Sequence, residues 1–135
     1  MDRLRVAIAG ASGIGRHHAK WHHAAGAEVV AFLGSSEQSC ARTAQRLREL
    51  FAFAGRGYTD WARLLEAEKP AIVDVCVPNE SHRDVALAAL DAGCHVLCEK
   101  PLVWQSGGGG AEQIAAARAV VDRARQAGRC LGVCT

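Results

Sequence analysis

Short, continuously apolar runs alternate with segments of helical periodicity along almost the whole chain, and this alternation confines it to a narrow choice of folds. Arg5-Val6-Ala7-Ile8-Ala9 and Ala71-Ile72-Val73-Asp74-Val75-Cys76-Val77 are too uniformly apolar for strands wetted on one side. Each reads as a parallel strand covered on both faces. Glu28 to Leu33 and His95 to Cys98 are a second and a fifth strand, a weak strand lies near Gly57-Tyr58, and Cys130 to Cys134 supplies a sixth. Helices fill the intervals. One of about ten residues follows Gly15 and stops at Gly26. Ser35 or Ser36 caps the next, and Thr59 or Asp60 caps a short one containing Leu64 and Leu65. Ser81-His82-Arg83-Asp84 resembles a capping box opening a helix that ends at Gly93, and a last helix from Glu112 to Gln126 is closed by Gly128. Strand–helix alternation of this kind gives right-handed crossovers, hence an α/β fold with a doubly wound, mainly parallel, six-stranded sheet and helices on both faces. Only Ser106-Gly107-Gly108-Gly109-Gly110 breaks the rhythm; its composition predicts a flexible stretch, either a loop over a crevice or a surface turn.

The chain has 135 residues, enough for one domain, which we take as 1–135. Aromatic residues are only 5% while Ala, Val and Leu abound, which suits helices packed on a parallel sheet better than a β-sandwich. A formal net charge of +2 without a basic run argues against a nucleic-acid partner. The start shows neither a long apolar h-region nor a cleavage site, and no segment approaches a membrane span, so the chain reads as cytoplasmic with no membrane partner. Six cysteines, none in a C-x-x-C pair and most within expected strands, read as small buried hydrophobes rather than a disulfide framework.

Gly10-Ala11-Ser12-Gly13-Ile14-Gly15 follows a strand and opens a helix, as a dinucleotide-binding turn of Rossmann type does. Gly10 fits the tight turn and Gly15 the close helix–strand contact, while Ser12 stands where a second glycine lets backbone approach a pyrophosphate. Arg16, a cation in the first helical turn, opposes the helix dipole unless an anion is present. The second strand ends Leu33-Gly34-Ser35-Ser36, without the acid that would bind a ribose 2′-hydroxyl. Ser35 and Ser36 leave room for a 2′-phosphate, with Arg42 as counterion, which favours NADP over NAD; Glu37, pointing inward, would reverse that. His18 and His22 lie one helical turn apart beside His17 and His23, but two imidazoles without a third donor make a weak site, and no metal is expected.

Together with Val77-Pro78-Asn79-Glu80-Ser81-His82 and Glu99-Lys100-Pro101-Leu102, the glycine turn and its trailing Arg16-His17-His18 resemble the Gfo/Idh/MocA (glucose–fructose oxidoreductase, inositol dehydrogenase) family over essentially the whole chain, as its N-terminal nucleotide-binding domain. The resemblance implies an NAD(P)-dependent oxidoreductase acting on a sugar, polyol or similar secondary alcohol. It makes Lys100 the catalytic residue, beside the nicotinamide and in contact with the substrate hydroxyl. The glycine turn and the end of the second strand make Gly10, Ser12, Gly13, Ile14, Gly15, Arg16, Ser35 and Ser36 cofactor-binding. The resemblance adds Pro78, Asn79, His82, Glu99, Lys100 and Pro101, with NADP or NAD as cofactor, and suggests a cis Lys100-Pro101 bond. The family's C-terminal substrate domain is absent from these residues, so activity of this chain alone is not expected, and homo-oligomer formation is possible through exposed apolar surface. Two other readings stay open: a regulatory module that uses bound dinucleotide as a signal, and a free-standing coenzyme A-binding domain with a similar Gly-Ala-Ser turn.

Overall fold

The computed structural model describes residues 2–135. Among them the chain forms six strands, β1 (Arg5–Ala9), β2 (Glu28–Leu33), β3 (Arg56–Tyr58), β4 (Ile72–Val75), β5 (His95–Cys98) and β6 (Leu131–Val133). Five α-helices alternate with them: α1 (Ile14–Ala24), α2 (Glu37–Leu50), α3 (Trp61–Glu68), α4 (His82–Asp91) and α5 (Gly110–Ala127). All strand pairings are parallel, in the order β3-β2-β1-β4-β5-β6. This is the doubly wound order, which reverses direction between β1 and β4.

Because side chains alternate across a strand, each strand serves two cores. Val6 and Ile8 of β1 meet Ala19 of α1 and Leu47 of α2 on one face, with Phe32 and Phe53. On the other, Val73 and Val75 of β4 and Val96 and Cys98 of β5 pack on Ala86, Ala89 and Leu90 of α4 and Val120 and Ala124 of α5. Ala7, Val30 and Ala31 sit on Leu64 of α3. The continuous apolarity of the strand sequences follows from this coverage.

Local signals set three of the helix ends. Ser36 Oγ accepts from Ser39 N at 3.1 Å and Asp60 Oδ1 from Arg63 N at 3.1 Å, starting α2 and α3. Gly128 ends α5 with φ +62°, in the left-handed conformation. The capping box expected at Ser81 is not formed: Ser81 makes no side-chain cap, because a 3₁₀ turn at Asn79–Ser81 already holds it in helical conformation and runs directly into α4. The Asp84 carboxylate accepts instead from Arg83, at 3.2 Å. The glycine-rich stretch is a turn clasped by one side chain, with Gln113 Oε1 accepting from Gln105 N at 3.1 Å and Gln113 Nε2 donating to Gln105 O at 2.8 Å. As a result α5 starts at Gly110, earlier than expected. All six cysteines are free thiols. No helix among the described residues is long and apolar enough to cross a membrane.

Candidate functional site

A crevice opens at the carboxyl ends of β1 and β4, where the sheet order reverses, and its floor is the glycine turn. Gly10 has φ +90°, its N–H donates to Leu33 O at 3.1 Å, and a Cβ on it would stand 2.9 Å from the Cys76 carbonyl oxygen. Inside α1, a Cβ on Gly15 would fall 1.9 Å from the Gly10 carbonyl oxygen. Both glycines are therefore required by the approach of α1 to the strands. Gly13, the N-cap of α1, is different: nothing lies within 4 Å of where its Cβ would be. Open space at a helix N-terminus, where the first-turn N–H groups lack intrahelical partners, fits an anion such as a pyrophosphate.

A cavity of about 330 Å³ lies over this turn, lined by Gly10, Ser12, Ser35 and Ser39 on one side and by Val77 and Pro78 on the other. Thr43, largely buried, also faces it. Sequence reasoning missed Ser39 and Thr43, although their spacing of four puts both hydroxyls on one side of the α2 N-terminal half, just past Ser35. Ser36 caps α2. The Glu37 carboxylate accepts from Thr59 Oγ1 at 3.4 Å, toward the β3–α3 link. Arg42 is exposed on α2, and Ile14 is exposed on α1. Arg16 lines a separate cleft with His17, Arg46, Glu49 and Leu50.

Across the crevice, the Glu99 N–H extends the β4–β5 ladder by donating to Val75 O at 2.9 Å, and Glu99 Oε2 accepts from Lys100 N at 3.2 Å. The Lys100-Pro101 peptide is cis, and Lys100 is exposed. Asn79 is exposed in the 3₁₀ turn, whereas His82 is buried behind it. The His82 ring lies between two carbonyls, Nδ1 2.7 Å from Pro101 O and Nε2 2.9 Å from Val77 O. It thus braces the loops after β4 and β5 from behind.

A second constellation lies below the crevice, on the α1 face of β4. Asp74 shares that face with Ile72 and is fully buried. Its Oδ2 is 2.9 Å from His18 Nδ1 and 2.7 Å from His22 Nε2, and its Oδ1 accepts from Cys76 Sγ at 3.3 Å. His18 Nε2 in turn is 3.1 Å from Glu99 Oε1. Burial pushes the Asp74 carboxyl up, but the His22 and His18 rings outweigh it and hold the carboxyl below its usual range. Burial, with Asp74 beside it, pushes the Cys76 thiol far up, and burial takes the Cys98 thiol to about 12.

Comparison with known proteins gives this geometry its family. The family described as "Oxidoreductase family, NAD-binding Rossmann fold" matches residues 4–135. The chain belongs to the Gfo/Idh/MocA family. D-glucoside 3-dehydrogenase of Escherichia coli K12 is 38% identical over 130 residues, covering 95% of this chain and 33% of the relative. Among solved structures, GenD2 from gentamicin A biosynthesis, in complex with NAD, has a TM-score of 0.79 at 26% identity, covering 98% of this chain and 34% of that one. Biliverdin reductase from Synechocystis, in complex with biliverdin and NADP+, has a TM-score of 0.76 at 27% identity, covering 96% of this chain and 37% of that one. This Gfo/Idh/MocA chain thus spans about a third of the length of its relatives, and it is the NAD(P)-binding Rossmann domain of an oxidoreductase family.

Proposed function

We propose that this Gfo/Idh/MocA domain binds NADP across the crevice between β1 and β4 and, joined to a substrate-binding domain, holds it for oxidation or reduction of a sugar, polyol or similar secondary alcohol. The observation that carries the reading is the shape of the glycine turn. Gly10 and Gly15 bring α1 against the strands, and Gly13 leaves the helix N-terminus open to a pyrophosphate. The nicotinamide group supplies the hydride chemistry.

The chain's own residues supply binding, orientation and a proton path. Ser35 and Ser39 line the side of the cavity nearest the end of β2, and none of the lining residues is acidic. With Glu37 turned to Thr59, a 2′-phosphate meets hydroxyls rather than a carboxylate, which supports NADP over NAD. Lys100 follows β5 at the crevice end, where its exposed ammonium can donate to a substrate hydroxyl and relay that hydroxyl's proton by giving one of its own to solvent as it receives the other. Glu99 holds Lys100 through its backbone N–H, and Pro101 is tied through its carbonyl to His82. The sugar class rests on the D-glucoside dehydrogenase relative.

Fluorescence titration of the chain with NADPH and NADH in parallel, with coenzyme A as competitor, tests the reading. Saturable NADPH binding at least tenfold tighter than NADH, about 1.4 kcal/mol, is expected. Displacement by coenzyme A, or no binding of either nucleotide, would overturn it.

A further inference from the structure

The group around Asp74 is unused by any step of the proposed function, and it gathers nitrogen, oxygen and sulfur donors of the kinds that hold metal ions. We propose that the chain binds one zinc-type divalent cation through His18 Nδ1, the Asp74 carboxylate and Cys76 Sγ, with the remaining position open to water. The expectation of no metal rested on the lack of a third donor beside His18 and His22. Folding supplies two, Asp74 and Cys76, from a strand more than fifty residues away.

Three lines of geometry agree. First, the donor groups already stand together: the Asp74 carboxylate meets His18 Nδ1 through Oδ2 at 2.9 Å and Cys76 Sγ through Oδ1 at 3.3 Å, and Cys76 Sγ is 3.5 Å from His18 Nδ1. Zinc bonds of about 2.0 Å to nitrogen or oxygen and about 2.3 Å to sulfur, at tetrahedral angles, place donors roughly 3.3–3.6 Å apart. One nitrogen, one oxygen and one sulfur of the set lie within 4.8 Å of one another, so rotation of the carboxylate and thiol side chains brings them to that spacing. Second, the far nitrogen of His18 has the partner that metal-bound imidazoles take: Nε2 lies 3.1 Å from Glu99 Oε1, so a proton there is donated to a carboxylate while Nδ1 faces the ion. Third, a cleft of about 310 Å³ lined by His18, Trp21, His22, Asp74 and Leu97 gives an ion a route in from solvent.

The mixed nitrogen, oxygen and sulfur set selects the borderline cations zinc and cobalt(II) over magnesium or calcium, which take oxygen alone. On binding, the Cys76 thiol loses its proton to solvent and the thiolate becomes the ligand. A second group, His18, Glu99 and Cys134, shares His18 and would use Nε2 as its donor, with Asp74 then holding Nδ1. The Asp74 side is the one proposed, because Cys76 Sγ already stands 3.3 Å from Asp74 Oδ1 and 3.5 Å from His18 Nδ1.

The test is titration of the tag-free, chelator-stripped chain with cobalt(II), followed by zinc. One equivalent should give visible tetrahedral bands and a thiolate-to-metal charge-transfer band, both abolished by zinc at one equivalent. Cys76→Ser should lose the charge-transfer band and weaken binding at least tenfold, with unchanged far-ultraviolet circular dichroism confirming that it folds. His18→Gln should also weaken binding at least tenfold. Cys130→Ser, at an exposed cysteine, should leave the spectrum as it is. Absence of a charge-transfer band in the parent chain, its persistence in Cys76→Ser, or its loss in Cys134→Ser but not in Cys76→Ser would each overturn the proposal.

Discussion

Replacing Gly15 with alanine adds one methyl group where α1 crosses the glycine turn, at a point where backbone already stands in close contact. The new Cβ would lie 1.9 Å from the Gly10 carbonyl oxygen, 2.9 Å from its carbon and 3.1 Å from the Cys76 Cβ. Two of the three are backbone atoms, and the first must retreat by about 1.5 Å to reach contact distance. The helix cannot simply lift away, because Ala19, one turn on, is fully buried against β1. Overpacking of this kind costs roughly 1–3 kcal/mol, and the helix propensity gained by Gly→Ala returns at most about 1 kcal/mol. With backbone on the receiving side, a net loss of about 2 kcal/mol is expected. Gly110→Ala makes the same chemical change at the start of α5, where nothing lies within 4 Å of the added Cβ, so stability there should be unchanged or raised by a few tenths of a kcal/mol. Urea unfolding followed by circular dichroism measures both, with an unchanged m-value guarding against a change in the unfolded state. If Gly15→Ala falls within about 0.5 kcal/mol of the parent, or behaves like Gly110→Ala, the packing role given to Gly15 is wrong.

The same geometry sets three further outcomes. Asp74 has a carboxyl held below its ordinary value, so it contributes stability that is fully present above about pH 4 and lost as pH falls through the lowered value. In chelator, Asp74→Asn should be about 2 kcal/mol less stable than the parent at pH 7, with the gap closing below pH 4 in denaturant titrations at each pH. Ser35→Asp places a carboxylate at the end of β2 on an exposed residue, and should move the NADPH to NADH affinity ratio at least tenfold toward NADH while changing stability by less than about 0.5 kcal/mol. His82→Leu removes the ring between the Pro101 and Val77 carbonyls, and should lower stability by about 2 kcal/mol in thermal or urea unfolding.

The fold was legible because two local signals coincide along this chain. Buried parallel strands leave runs such as Val6-Ala7-Ile8-Ala9 without polar interruption, and caps such as Ser36, Asp60 and Gly128 mark where helices start and stop. Gly10 and Gly15 were legible for a related reason, since each is fixed by a backbone contact that only glycine permits. What stayed hidden depends on tertiary neighbours. Nothing local says that His82 is buried between two carbonyls, or that Arg16 faces α2 rather than the crevice. The Asp74 cluster did leave a trace, a carboxylate within the apolar run Ile72-Val73-Asp74-Val75 and two histidines four residues apart. A charge inside a strand covered on both faces needs a partner, and β4 lies beside β1, under α1, where those histidines are. The capping-box expectation at Ser81 failed for the opposite reason: the motif was present, but the preceding turn had already fixed the backbone in helical form.

Amide chemical-shift mapping of the isotope-labelled chain during NADPH titration tests the central claim most directly. Binding in the β1–β4 crevice predicts saturating shifts at Gly10, Ser12, Gly13, Gly15 and Ser35, with Lys100 perturbed on the opposite wall. Shifts confined to the separate cleft between α3 and α4, around Trp61, Leu65 and Ala88, or no saturating shifts at all, would contradict it.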